Sequence, residues 1–273
     1  MKRTFRIGGE SGPNVGSGLV LFCGPCVIES REHVLREAEK ISRICQRLNF
    51  PLIFKASYDK ANRTSLSGFR GPGIDEGLKI LGEIRQEFGL PIVTDVHDVE
   101  DVILAGSVVD VVQIPAFLCR QTSLLIAAGR TGKAVLVKKG QFLHPDDMHF
   151  VAEKIASTGN ENIMLCERGT CHGYRDLVVD LRGLSMMASS GFPVIYDATH
   201  SVQVMGGAGG KSGGNRSFVE PLARAAVAYG VDGIFVEAHS NPDQAPSDGP
   251  NMLPIDSLES FLRNLQRIAT LEP

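Results

Sequence analysis

Short apolar runs rich in β-branched side chains recur along the chain. They fall at Leu19–Cys23, Leu52–Lys55, Pro91–Asp95, Val111–Ile114, Ala134–Lys138, Ile163–Cys166, Val194–Asp197 and Gly233–Glu237. Glycine, proline or charged residues bound them, and nearly every position within them is apolar. That is the pattern of strands buried on both faces of a parallel sheet. A longer stretch with helical spacing follows each run. In the clearest, Ser30 is placed as an N-cap, and Val34, Leu35, Ala38, Ile41, Ile44, Cys45 and Leu48 form one apolar stripe. The same spacing predicts helices over Asp75–Phe88, Val99–Ala105, Thr122–Arg130, Pro145–Ser157, Asp176–Met187, Phe218–Tyr229 and Ser257–Ile268. Strand and helix alternate eight times, in about 250 residues, which is the arithmetic of a (β/α)8 TIM barrel. An open doubly wound sheet is the alternative, because periodicity does not report closure. No linker or composition shift interrupts the pattern, so one barrel domain is expected over residues 1–273. The segment Arg3–Ser17 is too short for a domain and is expected to cap the barrel bottom.

Composition narrows the class. The chain is 43 % hydrophobic and 22 % charged, with a formal net charge of −3, as in globular proteins with ample core. That balance argues against wholesale binding of nucleic acid. No apolar run approaches the ~20 residues that span a bilayer, and Met1–Glu10 lacks the apolar core of a signal peptide. A cytoplasmic protein with no membrane partner is expected. Its six cysteines then read as free thiols or ligands.

Active sites of such barrels sit at the carboxyl ends of the strands, and the unusual polar residues of this chain cluster there. The first run is followed by Cys26 and Glu29, and the second ends at Lys55 and leads to Ser57, Asp59, Lys60, Asn62 and Arg63. Later ends carry Asp95 and His97, Gln113 and Arg120, Lys138 and Lys139, Glu167 and Arg168, Asp197 and His200, and Glu237 and His239. Loops are polar in general, but that does not explain a lysine terminating an apolar strand. Lys55, Lys60, Arg63, Arg120, Lys138 and Arg168 would gather cations at one mouth. Even with some paired to Asp59, Asp95 or Glu167, the surplus points to an anionic substrate, and two phosphates would suit it.

Two motifs mislead. Cys23-Gly24-Pro25-Cys26 has the dithiol spacing of thioredoxins, but the chain is several times too long for that fold. The run from Gly206 to Ser212 imitates a nucleotide-binding loop. However, the first glycine of that motif would fall on Met205, and the run lies well past its strand; a mobile loop over the mouth fits better. Cys26, His200, Glu237 and Asp248 are of metal-ligand type and would suit Zn²⁺ or Fe²⁺. Spacing alone does not unite them, and His97, His144, His172 and His239 are alternatives, His97 the best placed.

The run Phe54-Lys55-Ala56-Ser57-Tyr58-Asp59-Lys60-Ala61-Asn62-Arg63-Thr64-Ser65 resembles the 3-deoxy-D-manno-octulosonate 8-phosphate synthases. The resemblance continues through Gly24-Pro25-Cys26, Phe69-Arg70-Gly71-Pro72-Gly73, Thr94-Asp95-Val96-His97 and the stretch from Gln113 to Thr122. It extends to Val137-Lys138-Lys139-Gly140-Gln141-Phe142, Glu167-Arg168-Gly169-Thr170, Asp197-Ala198-Thr199-His200-Ser201, Lys211-Ser212-Gly213-Gly214 and Ser247-Asp248-Gly249. It covers roughly residues 19 to 268 in register.

The resemblance implies a homotetrameric (β/α)8 barrel that condenses phosphoenolpyruvate with D-arabinose 5-phosphate and releases phosphate. By motif position, Lys138 and Arg168 would grip the phosphoenolpyruvate phosphate, with Lys55, Ser57, Gln113 and Ala116 lining that half. Lys60, Asn62, Arg63 and Thr64 would hold arabinose 5-phosphate, Thr64 standing where the family often has Ser, and Arg120 would reach its phosphate from a neighbouring subunit. Lys60, Asp95 and His200 are candidates for proton transfer, as is a water on the metal. Cys after Gly-Pro marks the metal-dependent group, so Cys26, His200, Glu237 and Asp248 would bind a divalent ion, Zn²⁺, Fe²⁺, Mn²⁺ or Co²⁺. The closest alternative is the aromatic-pathway synthase that uses erythrose 4-phosphate, whose counterpart of Lys60-Ala61-Asn62-Arg63 usually lacks the Asn. A sugar-phosphate-binding protein without turnover is the other.

Overall fold

The computed structural model describes residues 2–174, 176–208 and 211–271. Among them, eight parallel strands and eight α-helices alternate. These are β1 (Val20–Gly24), α1 (Arg31–Leu48), β2 (Leu52–Lys55), α2 (Ile74–Phe88), β3 (Ile92–Asp95), α3 (Val99–Gly106), β4 (Val111–Ile114) and α4 (Thr122–Arg130). The second half holds β5 (Ala134–Lys138), α5 (Met148–Ala156), β6 (Ile163–Glu167), α6 (Arg182–Ala188), β7 (Val194–Asp197), α7 (Val219–Tyr229), β8 (Gly233–His239) and α8 (Ile255–Ala269). Each strand pairs with the next, and β8 closes on β1 with Val20 opposite Gly233 and Phe22 opposite Phe235. Closure excludes the open sheet. No helix among the described residues is long and apolar enough to cross a membrane.

Period-2 alternation sorts the strand residues into two cores. Leu21, Cys23, Leu52, Phe54, Ile92, Val112, Val135 and Val137 pack outward against the helices. Val20, Phe22, Ile53, Val93, Val111, Leu136, Met164, Cys166, Ile195 and Phe235 fill the barrel interior. Cys23 is therefore core, with its thiol pushed well up by burial, and the dithiol-like spacing has no redox geometry behind it. The first helix begins and ends where the sequence signals it. Ser30 accepts a bond from the His33 amide at 3.1 Å, and Asn49 closes α1 in the left-handed region at φ 50°.

The N-terminal segment forms a small hairpin, Phe5–Arg6 against Asn14–Val15. Ile7 and Val15 are buried in the same cluster as the barrel interior, so the hairpin is the expected bottom cap. Two expectations need correction. The helix predicted over Asp176–Met187 is only Arg182–Ala188; Asp176–Val178 instead pairs antiparallel with Thr170–His172. The β-branched Val178 and Val179 favour extension, and Asp180 accepts the Arg182 amide at 3.0 Å, starting the helix late. The glycine-rich run is a hairpin, Gln203–Ala208 against Lys211–Gly214; its Gly209 and Gly210 lie outside the described residues.

Because Ile7 fills the closed end of the barrel, opposite the polar mouth, truncating it should be felt only in stability. Ile7→Ala is expected to lower the unfolding free energy in urea by about 2–4 kcal/mol, with Michaelis constants unchanged.

Candidate active site

The inward columns do not stay apolar. Two residues beyond Ile53, Val93, Val111, Leu136, Cys166, Ile195 and Phe235 stand Lys55, Asp95, Gln113, Lys138, Arg168, Asp197 and Glu237. The same alternation that builds the interior core thus ends it in a layer of polar side chains at the C-terminal face. A cavity of about 460 Å³ opens there. Lys55, Asp95, Gln113, Ala116, Lys138 and Arg168 line one part of its wall; Lys60, Asn62, Arg63, Thr64, His200 and Asp248 also line it. Ser57, Cys26 and Glu237 lie behind the lining, each bonded to a lining residue: Ser57 to Asp95, Cys26 to Asp248, Glu237 to Lys55. Arg120 is exposed and does not line the cavity. A larger cleft, about 790 Å³, lies at the opposite end beside the hairpin. Its arginines are already engaged, Arg85 with Asp110 at 3.0 Å and Arg6 with the Gly12 carbonyl at 3.1 Å. Convergent polar groups, not volume, mark a site.

The mouth balances buried charges. Lys55 Nζ donates to Glu237 Oε1 at 2.7 Å and to the Cys26 carbonyl at 3.0 Å. Lys138 Nζ donates to Asp197 Oδ2 at 2.6 Å. The Phe235 ring lies beneath both ammonium groups, 3.1 Å from Lys138 and 5.6 Å from Lys55. The expected anionic partners differ: Asp59 pairs with Arg70 and Glu167 with Lys139. Burial alone would raise the Asp197 carboxyl, but His200, Lys138 and Arg168 hold it well below the usual range.

Asp95 accepts the Ser57 hydroxyl at 2.5 Å and lies 3.3 Å from His97 Nε2. His97 Nδ1 sits 3.5 Å from Asp101, which also accepts the Tyr58 hydroxyl at 2.7 Å. Against the upward push of burial, the His97 bond and the charges of Lys60 and Lys55 hold Asp95 well below its ordinary value. For Lys60, burial works against the charge, but Cys26, Glu237, Asp95 and Asp248 outweigh it and hold the ammonium well above its usual value. Both groups are therefore fixed charges at neutral pH.

Three of the four metal-type residues meet. The ligand atoms of Cys26, Glu237 and Asp248 lie within 4.8 Å of one another, with Cys26 Sγ donating to Asp248 Oδ2 at 3.1 Å. The fourth, His200, has Nδ1 2.9 Å from Asp197 and Nε2 3.7 Å from Glu237 Oε1. An imidazole whose second nitrogen is held by a carboxylate is oriented as metal-ligating histidines are. Glu237 Oε2 is buried without a hydrogen-bond partner, and such an orphan in a thiol–carboxylate cluster fits a divalent cation. Burial, Glu237 and Asp248 push the Cys26 thiol well up, so cation binding there releases a proton. The alternative histidines are engaged elsewhere: His97 with Asp95, His239 with Glu29 at 2.9 Å, and His144 beside Asp146; His172 is exposed in the hairpin after β6.

Sequence reasoning placed Asp197 only among the polar strand ends and His97 only as an alternative metal ligand, and gave no role to Gln203 or Ser247. Gln203 accepts from Arg168 Nη2 at 3.0 Å and donates to Asp248 Oδ1 at 2.8 Å. Ser247 accepts from Arg63 Nη1 at 2.7 Å. Asp197 could have been found from alternation, standing two residues past Ile195; Gln203 and Ser247 carry no such signal.

Fold and mouth together define a barrel enzyme that handles anionic substrates. The chain belongs to the DAHP synthetase I family, whose model matches residues 9–271. It is 58 % identical over 253 residues to the 2-dehydro-3-deoxyphosphooctonate aldolase of Trichlorobacter lovleyi, covering 93 % of each chain. The protein of that name from Magnetococcus marinus is 57 % identical over 250 residues, 92 % of this chain and 87 % of its own. That from Desulfatibacillum aliphaticivorans is 55 % identical over 268 residues, 98 % of each.

Burial lowers the His97 pKa, but the Asp95 bond and the charges of Asp95, Asp101 and Asp59 raise it on balance. A raised folded-state value stabilises the protein below the unfolded pKa, about 6.5, and the gain is lost as pH rises through the folded value. His97→Gln should therefore cost more unfolding free energy at about pH 5.5 than at about pH 9 in paired denaturant titrations.

Proposed function

We infer that this chain condenses phosphoenolpyruvate with D-arabinose 5-phosphate and water, giving 3-deoxy-D-manno-octulosonate 8-phosphate and inorganic phosphate for Kdo and lipopolysaccharide synthesis. The observation that carries the reading is the joint lining of one cavity by two cationic sets, Lys138 with Arg168 and Lys60-Ala61-Asn62-Arg63-Thr64. Arg168 Nη1 and Gln113 Oε1 are buried there without partners, a donor and an acceptor that a polar substrate would satisfy.

In this reading Lys138 and Arg168 bind the phosphoenolpyruvate phosphate, with Lys55, Gln113 and Ala116 beside them and Ser57 bracing Asp95 from behind. Lys60, Asn62, Arg63 and Thr64 bind the aldose phosphate. C3 of the enol attacks the C1 aldehyde, water captures the positive character at C2, and the hemiketal phosphate collapses with loss of phosphate. The chain's part is to hold two anions in attacking distance and to stabilise the charge that develops. Lys60 stands as a permanent cation for the oxygen of the aldehyde, and Asp95 as a permanent anion for the positive character at C2. His200, its Nδ1 fixed by Asp197, is the remaining candidate for proton transfer.

Cys26, His200, Glu237 and Asp248 would hold a divalent ion, Zn²⁺, Fe²⁺, Mn²⁺ or Co²⁺. When bound, the ion would supply Lewis acidity and orientation at the reacting carbons. The reading also includes a cytoplasmic homotetramer in which Arg120 serves a neighbour's sugar phosphate. Its exposure outside the cavity of its own chain supports that role.

A site built to hydrogen-bond hydroxyls rejects analogues that lack them. Phosphate release from phosphoenolpyruvate should therefore proceed with arabinose 5-phosphate at a kcat/KM more than about a hundredfold above that with erythrose 4-phosphate. An equal or greater kcat/KM with erythrose 4-phosphate would overturn this reading.

Prolonged exposure to a strong chelator, followed by elemental analysis, should remove both metal and activity, and one of the four ions should restore both. Cys26→Ala should lose metal and activity while its thermal unfolding still shows a folded barrel. Full activity in metal-free protein would contradict the ligand assignment.

A further inference from the structure

Lys139 is a lysine with no exposure at all, next to the substrate-facing Lys138 and outside the machinery described above. Its ammonium lies 3.2 Å from the Gly140 carbonyl, 3.4 Å from that of Leu143, 3.2 Å from that of Gly169 and 3.1 Å from Thr170 Oγ1. The first two oxygens belong to the turn leaving β5; the last two belong to the turn leaving β6. Glu167 Oε1 lies 3.6 Å away and also accepts the Gly169 amide at 2.5 Å. Two main-chain bonds reinforce the junction: the Lys139 amide to the Cys166 carbonyl at 2.8 Å and the Cys171 amide to the Gln141 carbonyl at 2.9 Å.

Arg168 stands between Glu167 and Gly169, inside this bracket. Gly169 adopts φ +85°, a conformation open to glycine and rarely taken by L side chains, so the backbone turns directly beside Arg168. Among the described residues, the guanidinium has one hydrogen-bond partner, Gln203, and one buried nitrogen without a partner. Its aim is thus set by its own backbone more than by its side-chain contacts. Burial pushes Lys139 down and Glu167 up, and each offsets part of that for the other. A buried ammonium spread over two turns is costly to keep, and Met would fill the same space without charge.

We propose that Lys139 is a positioning residue for the enol phosphate: by tying the β6 exit turn to the β5 exit turn it aims Arg168 into the mouth. The proposal rests on the assignment of Arg168 to the phosphoenolpyruvate phosphate.

The test is the paired change Lys139→Met with Glu167→Gln, which removes both buried charges together and leaves no lone ion. Binding of phosphoenolpyruvate alone, by calorimetry, should weaken by about tenfold or more, the loss typical of a misplaced charge-assisted bond. KM for arabinose 5-phosphate should move less than about threefold, and circular dichroism should still show a folded barrel. Unchanged phosphoenolpyruvate affinity in a folded protein, or equal weakening of both substrates, overturns the proposal. Thr170→Val deletes one neutral contact of the ammonium and covers the case in which the pair does not fold. It should weaken phosphoenolpyruvate selectively by about threefold, and an unchanged affinity overturns the proposal as well. Arg168→Gln separates the two levels. If it leaves phosphoenolpyruvate affinity intact, the assignment of Arg168 fails. If it weakens binding while the paired change does not, only the role of Lys139 fails.

Discussion

The mouth of this barrel exists because charges buried in one layer cancel. An eight-stranded barrel leaves an interior just wide enough for side chains, and in such a place a lone ion is expensive. Lys55 with Glu237 and Lys138 with Asp197 are almost wholly removed from water. Deleting one member of such a pair costs about 3–5 kcal/mol, because its partner is left charged and unmatched. The pairs join strands far apart in the chain, β2 to β8 and β5 to β7, and so also lock the upper rim. The cations of the mouth are fixed by the stability of the barrel itself.

Around these pairs the two parts of the site are mechanically continuous. Gln203 joins Arg168 to Asp248, and Asp248 joins Cys26. Asp197 serves Lys138 on one side and His200 on the other. A change at Asp248 is therefore transmitted within two contacts to Arg168. Preorganised polar groups of this kind act on developing charge without having to move.

Much of this was legible in the residues. The strands are short, apolar and bounded, so all eight were found, most to within one residue. The polar ends followed because a lysine or carboxylate closing an apolar run has no other explanation. The helix placed over Asp176–Met187 failed because Leu177, Val178 and Val179 satisfy helical and extended patterns alike, and a local hairpin won. Pairings were invisible: nothing near Lys55 names Glu237 as its partner, since only barrel closure brings β2 and β8 together. The union of Cys26 with Asp248 was legible through likeness to known enzymes and not through spacing. Gln203 and Ser247 lie on excursions between barrel elements, where alternation carries no information.

The seam between β1 and β8 has a consequence for how the molecule comes into being. Val20 is among the first strand residues to leave the ribosome, and its partner Gly233 is among the last. Until then one edge of β1 is unpaired, and the interior cluster lacks Phe235, which stands opposite Phe22. Such distant contacts make folding slow and leave strand edges open to other chains meanwhile. A translation stall before β8 would leave an incomplete ring with two unpaired strand edges.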